Sequence, residues 1–264
     1  MYILNLNNSM PQKTNSNRRN FIRNVSLGSL AAITLPSLVS GTAKEVQAKK
    51  ITLKKNAVVL FQGDSITDSG RKKDQSTPNN AGSLGNGYAF LAAATLLKQF
   101  PDLNLQIFNK GISGNKVYQL AERWEEDCLK IQPDVLSILI GVNDFWHTLT
   151  GNYKGTIKTY QDDFTALLDR TKQKLPAVQL VIGEPFAVIG VKAVDEKWYP
   201  AFNDYRAAAK EIATKYDAVF IPYQTIFDKA QKIAPGSYWT GDGVHPSIAG
   251  AELMAASWVE TVKK

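Results

Sequence analysis

The sequence predicts an α/β fold: a five-stranded parallel sheet with helices covering both faces. Three observations carry this. Five short apolar runs alternate with longer helical stretches. Those stretches repeat apolar residues at three- and four-residue spacings. Several of the runs end on turns rich in Gly, Asn, Asp or Ser, the residues that break regular structure. In chain order, Val58 to Phe61 is the first strand. Arg71 to Gly87, rich in Lys, Asn, Ser and Gly, reads as a long surface loop before a helix over Tyr88 to Gln99. The second strand is Leu105 to Phe108, followed by a helix from Val117 to Lys130. Val135 to Ile140 and Leu180 to Gly183 are the third and fourth strands, with a helix over Tyr160 to Lys174 between them. A helix over Ala201 to Tyr216 leads to the last strand, Ala218 to Ile221, and Ile248 to Val262 closes the chain as a helix.

At 264 residues and 44% hydrophobic content, the chain suffices for one well-buried domain once its first segment is set aside. Asn17-Arg18-Arg19-Asn20-Phe21-Ile22-Arg23 is a twin-arginine pattern, and the uncharged stretch Val25 to Val39 has the length of a signal peptide. It is too short and too rich in Ser, Gly and Thr to span a membrane. Cleavage after Ala43 or Ala48 is consistent with the small residues there, with Ala48 favoured. Residues 1–48 therefore read as a cleaved leader and residues 49–264 as a single exported catalytic domain, periplasmic or extracellular. The leader also holds Lys13, Arg18, Arg19, Arg23 and Lys44 against only Glu45, more than half of the net charge of +7. What remains is too weakly basic to argue for nucleic acid as a partner. A single cysteine, Cys128, excludes an internal disulfide and reads as an inert residue near a helix end. No cysteine pair or His-x-x-x-His is present, and Asp64 and Asp68 lack neighbours of ligand type, so no metal or other cofactor is expected.

Chemistry concentrates in four segments. Gly63-Asp64-Ser65-Ile66-Thr67 follows directly on the first strand, so Ser65 is delivered where a parallel sheet presents groups to ligands. A nucleophilic serine requires a base, a carboxylate to orient the base, and donors for the oxyanion. The chain has two histidines, and His245 stands three residues after Asp242 in Thr240-Gly241-Asp242-Gly243-Val244-His245-Pro246. That spacing lets the carboxylate reach the imidazole within one turn of chain and fix its tautomer. Donors can come from Asn109-Lys110-Gly111-Ile112-Ser113-Gly114-Asn115 and from Gly141-Val142-Asn143-Asp144, each placed after an apolar run and so at the same sheet edge as Ser65.

These four segments, in this order, resemble the blocks of the SGNH hydrolases, also called GDSL esterases, and the resemblance spans Ala57 to the C-terminus. Arg123-Trp124-Glu125-Glu126-Asp127 and Leu84-Gly85-Asn86-Gly87-Tyr88 are similar to the bacterial acetylxylan esterases within that family. The resemblance implies a flavodoxin-like three-layer sandwich, an open site, and a serine esterase that removes O-acetyl groups from xylan or xylo-oligosaccharides. It implies Ser65 as nucleophile, His245 as general base and Asp242 as its orienting acid. The oxyanion hole it implies is the backbone N–H of Ser65, the backbone N–H of Gly114 and the side-chain amide of Asn143, and it allows a homo-oligomer. One departure stands out: Gly241 precedes the triad aspartate where that branch has an aromatic residue, with Trp239 two positions earlier. A Gly-x-Ser-x-Gly elbow is absent, which separates the chain from the α/β-hydrolase lipases.

Other roles remain open for several of these residues. Gly111 competes with Gly114, and either could serve only to permit a turn. Asp64 and Asp144 read as structural groups that hold their loops, and His147 as a partly exposed surface residue. Trp146 and Trp239 flank catalytic blocks, where aromatic faces suit sugar rings but also suit rim packing. Trp124, Trp198 and Trp258 read as core or interface residues. A short-chain acyl esterase, lysophospholipase or thioesterase, a deacetylase for cell-wall glycan, and a catalytically idle glycan-binding module are the competing functions.

Overall fold

The computed structural model describes residues 49–263; the leader and its cleavage sites lie outside the described residues. Five strands form one parallel sheet: β1 (Val58–Gly63), β2 (Gln106–Asn109), β3 (Val135–Leu139), β4 (Gln179–Gly183) and β5 (Val219–Ile221). Their order is β2-β1-β3-β4-β5, all parallel, as expected for a flavodoxin-like sandwich. Strand β1 lies between β2 and β3, so the chain changes direction across the sheet on either side of it. A crevice opens at such a switch point, beyond the carboxyl ends of the strands. Gly63, Asn109 and Leu139 end the three strands that border it.

Among the described residues, ten α-helices accompany the sheet. They are α1 (Ser65–Asp68), α2 (Ala81–Leu84), α3 (Tyr88–Gln99), α4 (Val117–Glu122), α5 (Val142–Leu149), α6 (Ile157–Lys174), α7 (Phe202–Lys215), α8 (Tyr223–Ala230), α9 (Gly236–Trp239) and α10 (Ile248–Val259). Helices α3 and α10 pack on each other, with α8 beside α10, while α4, α6 and α7 pack as a second group. Both groups close on the sheet with large buried side chains. Trp258 of α10 lies 5.0 Å from the Phe61 ring and donates its N–H to Ser137 Oγ at 2.9 Å. Trp124 donates to Thr171 Oγ1 of α6 at 2.9 Å. Each indole thereby buries a large apolar area with its one polar atom satisfied. Trp124, Trp198 and Trp258 are all core residues. Cys128 is fully buried, and desolvation pushes its thiol up to about 12, out of the reactive range. No helix among the described residues is long and apolar enough to cross a membrane.

The five predicted strands and the α3 boundaries match the sequence reading, and three differences have physical causes. The helix expected over Val117 to Lys130 stops at Glu122 and resumes as a π-turn over Glu125–Leu129. Arg123, at the break, is largely buried and donates to Asn115 Oδ1, Lys110 O and Asp127 Oδ2. Helices α5 and α8 do not appear in the sequence reading, since each is only eight residues long, about two turns of pattern. The stretch Arg71 to Gly87 is more than a surface loop: it contains α2 and buries Arg71, Ser83 and Leu84. Within it Asn79 exchanges hydrogen bonds with Leu105 O and Ile107 N, covering the free edge of β2.

Candidate active site

Ser65 begins α1, immediately beyond β1. The turn is fixed by Asp64, whose carboxylate accepts from Ile66 N–H at 2.9 Å and caps the helix. The Ser65 side chain is half-buried, and Oγ lies 2.7 Å from His245 Nε2. His245 Nδ1 lies 2.7 Å from Asp242 Oδ2. An ionised carboxylate only accepts, so Nδ1 carries the proton and Nε2 presents its lone pair to the serine hydroxyl. Desolvation acts to raise the Asp242 pKa, but hydrogen bonds from the His245 N–H, its ring and the Val244 N–H outweigh it and hold the carboxyl below its ordinary value. Three sequence-predicted residues thus form one continuous hydrogen-bonded chain.

The loop that carries Asp242 and His245 is held by backbone bonds within it and to residues 188–193. Gly241 N–H donates to His245 O at 2.8 Å, Thr240 pairs with Pro246, and Ala193 and Val188 donate to the carbonyls of Asp242 and Gly243. Trp146 sits beside the histidine, its ring 6.4 Å from the imidazole and 5.6 Å from Trp198. Trp239 directs its N–H to the carbonyls of Ala230 and Ala234, anchoring the end of α9.

Beyond β2, the loop from Lys110 to Lys116 passes Ser65 under several constraints. Asn109 donates to Thr67 O and Leu84 O, while its own amide oxygen accepts from Gly111 N–H. Asp68, at the end of α1, accepts from both the N–H and the hydroxyl of Ser113 at 2.9 Å. Arg71 Nε donates to Gly111 O at 2.7 Å. The two candidate glycines differ sharply. A Cβ on Gly111 would fall 2.4 Å from Asp68 N, so that position needs glycine for close backbone packing. Gly114 has φ +81° with open space around it, so what requires glycine there is the turn itself and not close packing. Among the described residues, the N–H groups of Ser65 and Gly114 donate to no protein acceptor. Asn143, in the first turn of α5, is 3% exposed and gives one amide hydrogen to Asn115 O at 3.2 Å, which leaves the second free.

Asp64 and Asp144 are both buried, each with one oxygen that accepts nothing from the described residues. Burial pushes both carboxyls up to about 7, only partly countered by hydrogen bonds from Ile66 N–H and Val117 N–H respectively. Both therefore hold their loops, as the sequence reading expected, from a nearly dry interior. His147 is partly exposed. Sequence reasoning did not single out Asp68, Arg71 or Arg123 as supports of the Gly111 to Asn115 loop. Their partners lie 8 to 45 residues away, and no spacing signature marks them.

The sequence from residue 61 to 253 matches the GDSL-like Lipase/Acylhydrolase family. An acetylxylan esterase from Geobacillus stearothermophilus is 32% identical over 206 residues, covering 77% of this chain and 93% of that protein. A GDSL-like lipase structure from Parabacteroides merdae superposes with a TM-score of 0.79 at 52% identity, covering 80% of this chain and 98% of that one. A catalytic mutant of the Geobacillus esterase, in which a serine is replaced by alanine, superposes with a TM-score of 0.73 at 29% identity, covering 81% of this chain and all of that one. Two further catalytic mutants of that esterase replace an aspartate and a histidine three positions apart. By sequence and by fold, the chain belongs to the GDSL-like lipase/acylhydrolase family, the SGNH hydrolases.

Proposed function

We propose that this protein is a serine esterase that removes O-acetyl groups from carbohydrate, with xylan and xylo-oligosaccharides as the first substrates to consider. The observation that carries the reading is the pair of 2.7 Å contacts linking Ser65 Oγ, His245 and Asp242. In the first step Ser65 Oγ attacks the acetyl carbonyl as its proton passes to His245 Nε2, and Asp242 stabilises the imidazolium. The N–H groups of Ser65 and Gly114 and the free amide hydrogen of Asn143 receive the oxyanion as charge develops on it. As the tetrahedral intermediate collapses, the imidazolium protonates the departing sugar hydroxyl and leaves an acetyl-serine. Water, deprotonated by the same imidazole, then releases acetate and restores the hydroxyl.

The carbohydrate assignment draws support from the similarity to the Geobacillus acetylxylan esterase. It also draws support from the exposure of the site, since the His245 side chain is 42% exposed and open to a bulky alcohol portion. The twin-arginine leader in residues 1–48 fits export toward extracellular polymer; fractionation of cells expressing the full chain tests that part. The decisive experiment measures acetate release by the purified protein from acetylated xylo-oligosaccharides, acetylated pectin and a nitrophenyl ester chain-length series, with Ser65→Ala as control. Fast, Ser65-dependent release from the xylo-oligosaccharides is expected. Activity that rises with acyl length instead would favour a lysophospholipase or thioesterase and refute the acetyl assignment.

A further inference from the structure

One helical turn beyond Asn143, α5 borders a second cluster that the ester chemistry does not use. Lys116 is 6% exposed, and among the described residues no carboxylate lies within salt-bridge distance of its ammonium. That ammonium lies over two rings instead, 5.1 Å from the centroid of Tyr153 and 6.0 Å from that of Tyr118. The rings are stacked on each other, with centroids 5.9 Å apart and planes 17° from parallel, and Tyr118 is 37% exposed.

Both sides of the cluster are tied to the catalytic cleft. Tyr153 donates its N–H to His147 O at 3.1 Å. Val117 N–H reaches Asp144 Oδ1, and the Asn143 amide reaches Asn115 O, both at 3.2 Å. His147 is four residues beyond Asn143 and so on the same face of α5, about 6 Å along its axis. The cluster therefore lies one short step from the side chain assigned to the oxyanion. Burial, and then the nearby Lys116 charge, lower the His147 pKa, so its imidazole is neutral at pH 7.

Asp144 feels the charge of Lys116, yet among the described residues no acceptor holds the ammonium at contact distance, and a partly exposed tyrosine slab beside such a donor is well matched to a sugar. The apolar C–H face of a pyranose ring covers an aromatic face, and its oxygens accept from an uncommitted donor. We infer that Tyr118, Tyr153 and Lys116 form a subsite for the sugar unit adjoining the acetylated one, with Tyr118 taking the ring face and Lys116 donating to an oxygen of that sugar. This inference rests on the carbohydrate-esterase reading above and narrows it: the substrate is an oligosaccharide of two or more pyranose units, in preference to an acetylated monosaccharide.

The test is the ratio of kcat/KM for acetate release from acetylated xylotriose to that from an acetylated methyl xyloside. The wild-type protein is expected to favour the trisaccharide about tenfold, as one aromatic stacking contact with a hydrogen bond supports. Tyr118→Ala and Lys116→Met should each draw that ratio toward one, chiefly through KM, while Tyr118→Phe should preserve it. Because Tyr118 lies at the surface, truncation there leaves the core intact, and a ratio within one protein cancels any loss of folded enzyme. A wild-type ratio near one, or a ratio unmoved by Tyr118→Ala, overturns the subsite and leaves the esterase reading standing. Release from neither sugar while nitrophenyl acetate is still cleaved overturns both.

Discussion

The two halves of the candidate site are built in opposite ways. The nucleophile and oxyanion half stands at the ends of β1, β2 and β3 and rests on buried polar groups: Asp64, Asp68, Asn109, Asn143 and Asp144 are all at most 3% exposed. Its hydrogen bonds join segments far apart in sequence, such as Asp68 to Ser113 and Asn143 to Asn115. The acid–base half is one loop, whose two side chains are 42% and 30% exposed and only three residues apart. One half derives its geometry from buried polar contacts spread over three strand ends, the other from bonds within its own loop and to residues 188–193. The first should therefore respond to substitutions in several segments, while the second should respond to its own residues and to the one segment, residues 188–193, that holds it.

The comparison can be broken most directly at the centre, where both halves meet. Ser65→Ala removes the shared atom and should lower kcat by about 10⁶, the loss seen when a serine nucleophile is deleted from a comparable triad. In the local half, Asp242→Asn should lower kcat by about 10⁴ with little change in KM, because the amide favours the wrong imidazole tautomer. The circular dichroism spectrum should stay near wild type and Tm at pH 7 should fall only modestly, since the asparagine oxygen can still accept from the Val244 and His245 N–H groups. A pure KM effect would contradict the role given to it. In the buried half, Asn143→Ala should lower kcat by about 10²–10³ through loss of one oxyanion donor. It should also lower Tm, because the buried Asn115 carbonyl loses its partner.

A sharper probe of the contrast lies off the reacting atoms. Asp68 is buried and accepts two hydrogen bonds from Ser113, and Asp68→Ala should destabilise the fold by about 1–3 kcal/mol through the loss of those bonds. It should also lower kcat, although Asp68 does not touch substrate, because the Gly111 to Asn115 loop loses its tether to α1. A variant that loses stability in urea but keeps full kcat per folded molecule would show that the loop holds its shape without the tether, and the contrast between the halves would weaken.

The same contrast explains what could be read in the sequence. Strand positions were legible because each is a short apolar run bounded by turn residues. Asp242 and His245 were legible because their interaction is local, and Ser65 because it follows a buried strand without a gap. The supports of the oxyanion loop were not legible. Arg71 and Gly111, or Asp68 and Ser113, come together only when β1 and β2 pair, and nothing in a linear spacing of 40 or 45 residues records that. Trp239 adds a contact that its place beside the catalytic block did not announce: its N–H anchors the end of α9 through two carbonyls, while its ring stays partly exposed.

A last prediction separates the halves by the sign of their pH dependence. Burial pushes Asp64 and Asp144 from their ordinary 3.8 up to about 7. Between those values the folded chain keeps protons that the unfolded chain has given up, so stability falls as pH rises from about 4 to 7 and levels off above. Asp242 is held below its ordinary value, so there the unfolded chain binds more protons near pH 3.8. Its contribution is complete above that pH and is lost as pH falls through its lowered value. Urea unfolding from pH 3 to 8 should therefore show a rise near the acid end and a decline toward neutrality. Asp64→Asn should flatten the decline and leave the acid rise in place, whereas Asp242→Asn should weaken the acid rise alone. A decline that persists unchanged in both Asp64→Asn and Asp144→Asn would mean that the buried half does not hold its protons, and that the two halves differ in exposure but not in charge.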